Sequence, residues 1–141
     1  MIAGVDQLVV ETRPDPRDLA ELEERLAAAA VAAVGAGDEE EFGIFVRDGT
    51  QIVAGVSAAI WGGCCQVHVV WVDESRRGRG LARELMAAAE AEARRRECRL
   101  VMGLTYDVLT HDFYDRLGYR TVGLIEDCPV GTTTRWYAKD L

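Results

Sequence analysis

The chain has 141 residues, of which 49% are hydrophobic and 28% charged, with a formal net charge of −8. That length suits one domain with a sizeable core, that composition excludes a disordered chain, and no apolar run approaches the roughly 20 residues of a membrane span. The acidic balance argues against a nucleic-acid partner, which would need an extended basic face, and is compatible with a cationic or amine-bearing substrate, although solubility alone accounts for it as well.

The opening "MIAGVDQLVVETRPD" has no basic n-region and no apolar signal core, so a cytoplasmic location is expected. Residues 8–12, "LVVET", read as a first strand. "DPRDLAELEERLAAAAVAAVG" then reads as a helix, capped by Asp15, opened by Pro16 and stopped at Gly35, with Leu19, Leu22, Leu26, Ala29 and Ala33 along one stripe. "GDEEE" at 37–41 reads as an acidic turn. "EFGIFVR" and "TQIVAGVSAAIW" flank Asp48-Gly49 as a hairpin, and Gly62-Gly63 turns the chain again into "CCQVHVVWV". The centre of the chain is therefore an antiparallel meander.

"LARELMAAAEAEARRR" is a strong helix with Leu81, Leu85, Ala88 and Ala89 on its apolar face and arginines in its last turn, where they suit the dipole. "RLVMGLT" at 99–105 is a buried strand, parallel to 64–72 because a helix connects them. "THDFYDRLG" is a short helix stopped by Gly118, and "YRTVGLI" and "TTRWYAKDL" are closing strands. The loop between them holds Glu126 and Asp127, which could face a cationic substrate or simply solvent. The cysteines Cys64, Cys65, Cys98 and Cys128 form no CxxC pair and have no histidine at zinc spacing, so packed, reduced thiols are expected and no metal site.

One stretch stands apart. "VDESRRGRGLARELM" joins the strand 64–72 to the following helix, and Arg76, Arg77, Arg79 and Arg83 crowd its turn. Gly78 and Gly80 let the backbone bend and a ligand come close, and the first N–H groups of the helix have no internal partners. Together they read as a phosphate or pyrophosphate site, with an arginine-rich solvated turn as the plainer reading. A Walker A loop would need a lysine, and a dinucleotide fingerprint would need a third glycine where Arg83 stands.

"VWVDESRRGRGLARELM" resembles motif A of the GNAT superfamily of acetyl-CoA-dependent N-acetyltransferases, whose Arg/Gln-x-x-Gly-x-Gly/Ala signature falls on Arg77, Gly80 and Ala82. "TYDVLTHDFYDRLGYRTVG" resembles the family's second signature through Phe113, Tyr114, Leu117, Gly118 and Tyr119, and the proline loop and Lys-x-Leu ending resemble a bacterial subgroup. The resemblance covers residues 64–141.

It implies a single GNAT domain over 1–141, α/β (α+β) in class, with a mixed but mostly antiparallel sheet of 6–7 strands, 3–4 flanking helices and one parallel β-α-β unit. It implies that Arg77, Gly78, Arg79, Gly80, Leu81 and Ala82 wrap the pyrophosphate of acetyl-CoA, assisted by Arg83, and that Val70, Trp71 and Val72 pair with its pantetheine arm where the two parallel strands splay. Asp107 stands where the family often has an asparagine that meets the cofactor, and Leu109 and Thr110 stand where the subgroup often has Gln-Ala.

By the same resemblance Tyr114 is the general acid that protonates the departing thiolate. A phenol near ~10 can donate to a thiolate near ~8.5. His68, on the central strand with Gln66, is the candidate base, with a structural histidine as the alternative. The implied activity is direct acetyl transfer to a primary amine of a small molecule or peptide; the alternative is an acyl-CoA-binding sensor with little catalysis. Trp136-Tyr137 near the end would suit pairing of the last strands into a homodimer.

Overall fold

The computed structural model describes residues 7–110 and 112–141; His111 and the first six residues lie outside it. The chain divides into two compact units, Met1–Asp38 and Glu39–Leu141. Among the described residues no helix is long and apolar enough to cross a membrane.

The first unit holds helix α1 (Pro16–Val34). Its limits follow from local chemistry. Asp15 is extended, its carboxylate accepts the Arg17 backbone N–H at 2.9 Å, and Pro16 takes the first helical position, where no N–H is needed. Gly35 closes the helix in the left-handed region at φ 75, donating to the Val31 carbonyl. The expected strand at 8–12 does not form: residues 7–11 belong to no ladder. A short run of β-branched residues favours extension, but it becomes a strand only where a partner offers its backbone.

The second unit is a six-stranded sheet. In chain order it comprises β1 (Glu40–Asp48), β2 (Gln51–Trp61), β3 (Cys64–Val72), helix α2 (Leu81–Arg95), β4 (Leu100–Tyr106), the short helix α3 (Phe113–Arg116), β5 (Arg120–Ile125) and β6 (Thr134–Asp140). The strand order is β1-β2-β3-β4-β6-β5, antiparallel throughout except for the β3–β4 pair. The parallel pair sits where a helix carries the chain across. Gly62 and Gly63, both at positive φ, make the tight turn of the second hairpin. Glu40 and Glu41 belong to β1 rather than to an acidic turn, because the inward alternation of Phe42, Ile44 and Val46 draws the strand back to them. Glu40 is paired with Arg96 at 3.1 Å.

The core lies between this sheet and α2. Leu85, Met86, Ala89 and Ala93 recur at helical spacing and are buried against Val56, Ala58, Cys65, Val67 and Val101. The alanines remove bulk, so the helix can lie close to β2, itself built from small residues at Ala54, Ala58 and Ala59. The thiols are all unpaired; Cys65 and Cys98 are buried, and burial pushes Cys65 up to about 11, so it stays a protonated packing group. Cys128 departs from the expected packing and is exposed, because it lies on the β5–β6 loop outside the core.

Candidate active site

Between β3 and α2 a short loop is folded largely by its own side chains. Asp73 leaves the strand and accepts from both the hydroxyl and the backbone N–H of Ser75, which lowers its pKa below the usual carboxylate value. A single 3-10 turn, Glu74–Arg76, follows. Arg76 turns away to Asp48 at 2.7 Å, tying the loop to the first hairpin. Arg77 donates its Nε proton to the Val72 carbonyl at 3.0 Å, stapling the base of the loop to the end of β3.

Gly78 and Gly80 then adopt left-handed conformations at φ 77 and φ 81, which a side chain would strain. A Cβ placed on either would meet nothing within 4 Å, so the outer side of the loop is open. Gly80 caps α2 without a side-chain acceptor, and the first bond into the helix runs from Glu84 N–H to the Gly80 carbonyl. Among the described residues, the N–H groups of Gly78, Arg79, Gly80, Leu81, Ala82 and Arg83 find no protein acceptor, and neither Arg79 nor Arg83 is engaged in an ion pair. A run of free donors at the positive end of a fifteen-residue helix, flanked by two uncommitted guanidinium groups, suits a pyrophosphate.

This cradle opens beside a gap in the sheet. β3 and β4 pair only from Cys64↔Leu100 to Val67↔Gly103. Beyond that point β3 stays with β2 as far as Val72↔Ala54, while β4 stays with β6 as far as Tyr106↔Thr134. The strands part at a bulge: Val67 faces Ala58 and Val69 faces Ser57, leaving His68 as the extra residue. Strict alternation therefore fails here. Cys65, Val67, Val70 and Val72 turn to the core side, whereas His68 and Val69 are both exposed in succession. The facing edges of Val69–Val72 and Leu104–Tyr106 keep unpaired backbone groups, as an extended ligand arm requires. His68 also borders a shallow cavity of about 400 Å³ with Glu41, Phe45 and Ser57.

Tyr114 sits on α3, a single turn. It is buried, stacked on Tyr137 at 4.9 Å and edge-on to Phe113 and Tyr119 at 5.0 and 5.5 Å. Burial, and secondarily Tyr137, raises its pKa above the usual phenol value, so the hydroxyl keeps its proton. Asp107 follows β4, its N–H on the Thr133 carbonyl at 3.0 Å and its carboxylate gripped bidentately by Arg135 at 2.8 and 2.7 Å. That hydrogen bond pushes Arg135 further up, so its guanidinium stays charged. Thr110 meets Thr105 through their hydroxyls at 2.8 Å. Asp127 folds its own loop by accepting from Gly131 N–H at 2.8 Å.

Three residues that the sequence reading left aside matter locally. Arg135 holds Asp107. Glu90, which is buried, and Lys139, which is partly exposed, form a pair behind Tyr119, with both carboxylate oxygens 3.1 Å from the ammonium. The available signal was Glu90 itself, a carboxylate on the apolar stripe of a helix, which must find a cation.

A sequence profile described as the Acetyltransferase (GNAT) family matches residues 3–119. The chain belongs to this family. An acetyltransferase from Agrobacterium fabrum is 31% identical to this GNAT protein over 118 residues, spanning 81% of the chain and 84% of the relative. A blasticidin-S acetyltransferase from Streptomyces morookaense is 41% identical over 76 residues, 53% of the chain and 56% of the relative. The solved structure of an acetyltransferase candidate from Agrobacterium tumefaciens superposes with a TM-score of 0.88 at 26% identity, covering 96% of this chain and 99% of that one. This GNAT protein is an acetyl-CoA-dependent N-acetyltransferase.

Proposed function

We propose that this GNAT enzyme acetylates a primary amine of a small molecule or peptide by direct attack within a ternary complex, and that the residues singled out above divide the work. The observation that carries the reading is the run of free N–H donors from Gly78 to Arg83 beside the parted strands. The donors hold the pyrophosphate of acetyl-CoA, with Arg79 and Arg83 adding charge and Arg77 fixing the loop. The backbone of Val70, Trp71 and Val72 pairs with the pantetheine arm. Asp107, set rigidly by Arg135, borders the same slot from β4.

At the thioester the amine nitrogen bonds to the acetyl carbon, the C–S bond breaks, and the sulfur takes the Tyr114 proton; the proton that the nitrogen sheds on becoming an amide returns to Tyr114 through solvent. The ammonium must first lose a proton, and His68 at the bulge accepts it directly or through water. Both units are read as one acetyltransferase domain, since the family match runs through both. A cytoplasmic location fits a reaction that draws on acetyl-CoA. A homodimer through the last strands stays within the reading. The Streptomyces relative, by its name, acts on blasticidin S, which favours a small-molecule acceptor here over a peptide.

The test is thiol release from acetyl-CoA across polyamines, aminoglycosides, nucleoside antibiotics, amino acids and lysine peptides. A small-molecule amine is expected to accelerate release at least about tenfold over the amine-free rate. Acceleration by lysine peptides alone would reverse the acceptor class.

A further inference from the structure

We infer that Glu90 and Lys139 are positioning residues for Tyr114: their ion pair ties the turn that carries the phenol to the middle of the helix whose first turn forms the anion cradle. The inference rests on the proposed acid role of Tyr114. α3 is four residues long, too short to be rigid on its own. Its fixation comes from outside. The Tyr114 carbonyl accepts from the N–H groups of Leu117 and Tyr119, each at 3.1 Å.

Both of those residues are held in turn by the pair. Lys139 has three protons to donate. Two go to the Glu90 oxygens and the third to the Leu117 carbonyl at 2.9 Å. The Tyr119 hydroxyl donates to Glu90 Oε1 at 2.8 Å, and its ring stands edge-on to Tyr114. One carboxylate thus reaches both neighbours of Tyr114 in the hydrogen-bond scheme. Its own place is fixed, because Glu90 stands between the fully buried Ala89 and Ala93 on α2.

A part-buried ion pair of this kind adds little stability over apolar side chains of the same volume. What it adds is geometry: three directed donors that an apolar replacement cannot supply. The distance from cradle to phenol then depends on α2, Glu90, Lys139 and Leu117, and a displacement of about 1 Å at such a centre can lower turnover about a hundredfold.

The test uses the double variant Glu90→Gln/Lys139→Met, which removes both charges at nearly constant volume and leaves no charge buried alone. The expected result is a fall in kcat of at least about tenfold with KM for acetyl-CoA within about twofold. Against a Tyr114→Phe background the same double change is expected to produce no further fall. Tyr119→Phe removes one arm and keeps the Lys139–Leu117 bond; it should lower kcat about threefold, again only where Tyr114 is intact.

Equal losses in both backgrounds would show a general structural role and overturn the inference, as would an unchanged kcat in the double variant. If the double variant does not fold, Tyr119→Phe decides on the same criterion. If Tyr114→Phe alone leaves kcat unchanged, the acid role fails and the positioning role falls with it. If it lowers kcat while the double variant does not, only the positioning role falls.

Discussion

At the scale of single residues, chemistry here is set by what each group is denied. Tyr114 is denied water, so its phenol holds its proton to higher pH than a free tyrosine; the same holds for Tyr119, buried and bonded to Glu90, and for Tyr137. The sign for stability follows. A pKa raised in the folded state contributes fully below the unfolded value near ~10 and is lost as pH rises past it, because the unfolded chain then gives up protons that the folded one keeps. Stability against urea should therefore decline above about pH 10, and ultraviolet titration of native protein should show these tyrosines ionising only beyond that point. Ionisation of all tyrosines together near 10 in the native protein would contradict the buried cluster.

Gly80 is denied a side chain. At φ 81, between free donors, aspartate would add both backbone strain and a repelling charge. Gly80→Asp should abolish the thermal shift produced by coenzyme A, which for the parent should correspond to about 2.7 kcal/mol at a hundredfold excess over Kd. Retention of that shift would place the cradle elsewhere.

At the scale of elements, α2 serves two masters. Its apolar stripe fastens the sheet, and its first turn carries the free donors proposed to hold the cofactor. Met86 is among the largest fully buried side chains. Met86→Ala should cost about 2–5 kcal/mol in chemical denaturation, since the sheet and the helix cannot both close over the space. The elements most legible in the sequence were those bounded by local signals. Asp15-Pro16 and Gly35 fixed α1, Gly62-Gly63 fixed the second hairpin, and "CCQVHVVWV" matched β3 residue for residue. "LVVET" misled because apolar content speaks for extension and says nothing about a partner.

In the site, the glycine and arginine turn was legible because its chemistry is local. The bulge was not, since "QVHVVWV" alternates acceptably in either phase. Nor was the Glu90–Lys139 pair, whose members lie 49 positions apart and meet only through the fold.

At the scale of the whole molecule, an acidic chain keeps two arginines without an ion pair at one helix start, among the described residues. Arg25, Arg95, Arg96, Arg116 and Arg120 are held by carboxylates; among the described residues Arg79 and Arg83 enter no ion pair, and nor do Arg13, Arg47, Arg94 and Arg99 elsewhere on the chain. Screening over roughly 8–10 Å limits the repulsion that the rest of the surface exerts on an incoming anion. Binding of coenzyme A should therefore weaken as salt rises, because the nearby arginines dominate within that range. Affinity measured at rising potassium chloride checks the sign, and tighter binding at high salt would assign control to the net charge.

The bulge at His68 has one more consequence. It is an insertion in the literal sense: removing that residue leaves Cys65, Val67, Val70 and Val72 in regular alternation on the same side as before. The core does not require it. A chain lacking His68 should fold cooperatively, with far-ultraviolet dichroism like the parent's, yet β3 would be free to run alongside β4 past Gly103 and should no longer show a thermal shift with coenzyme A. On this proposal the opening in the sheet is a one-residue departure from an ordinary β-sheet, and deleting that residue should remove the capacity to take a cofactor while sparing the fold.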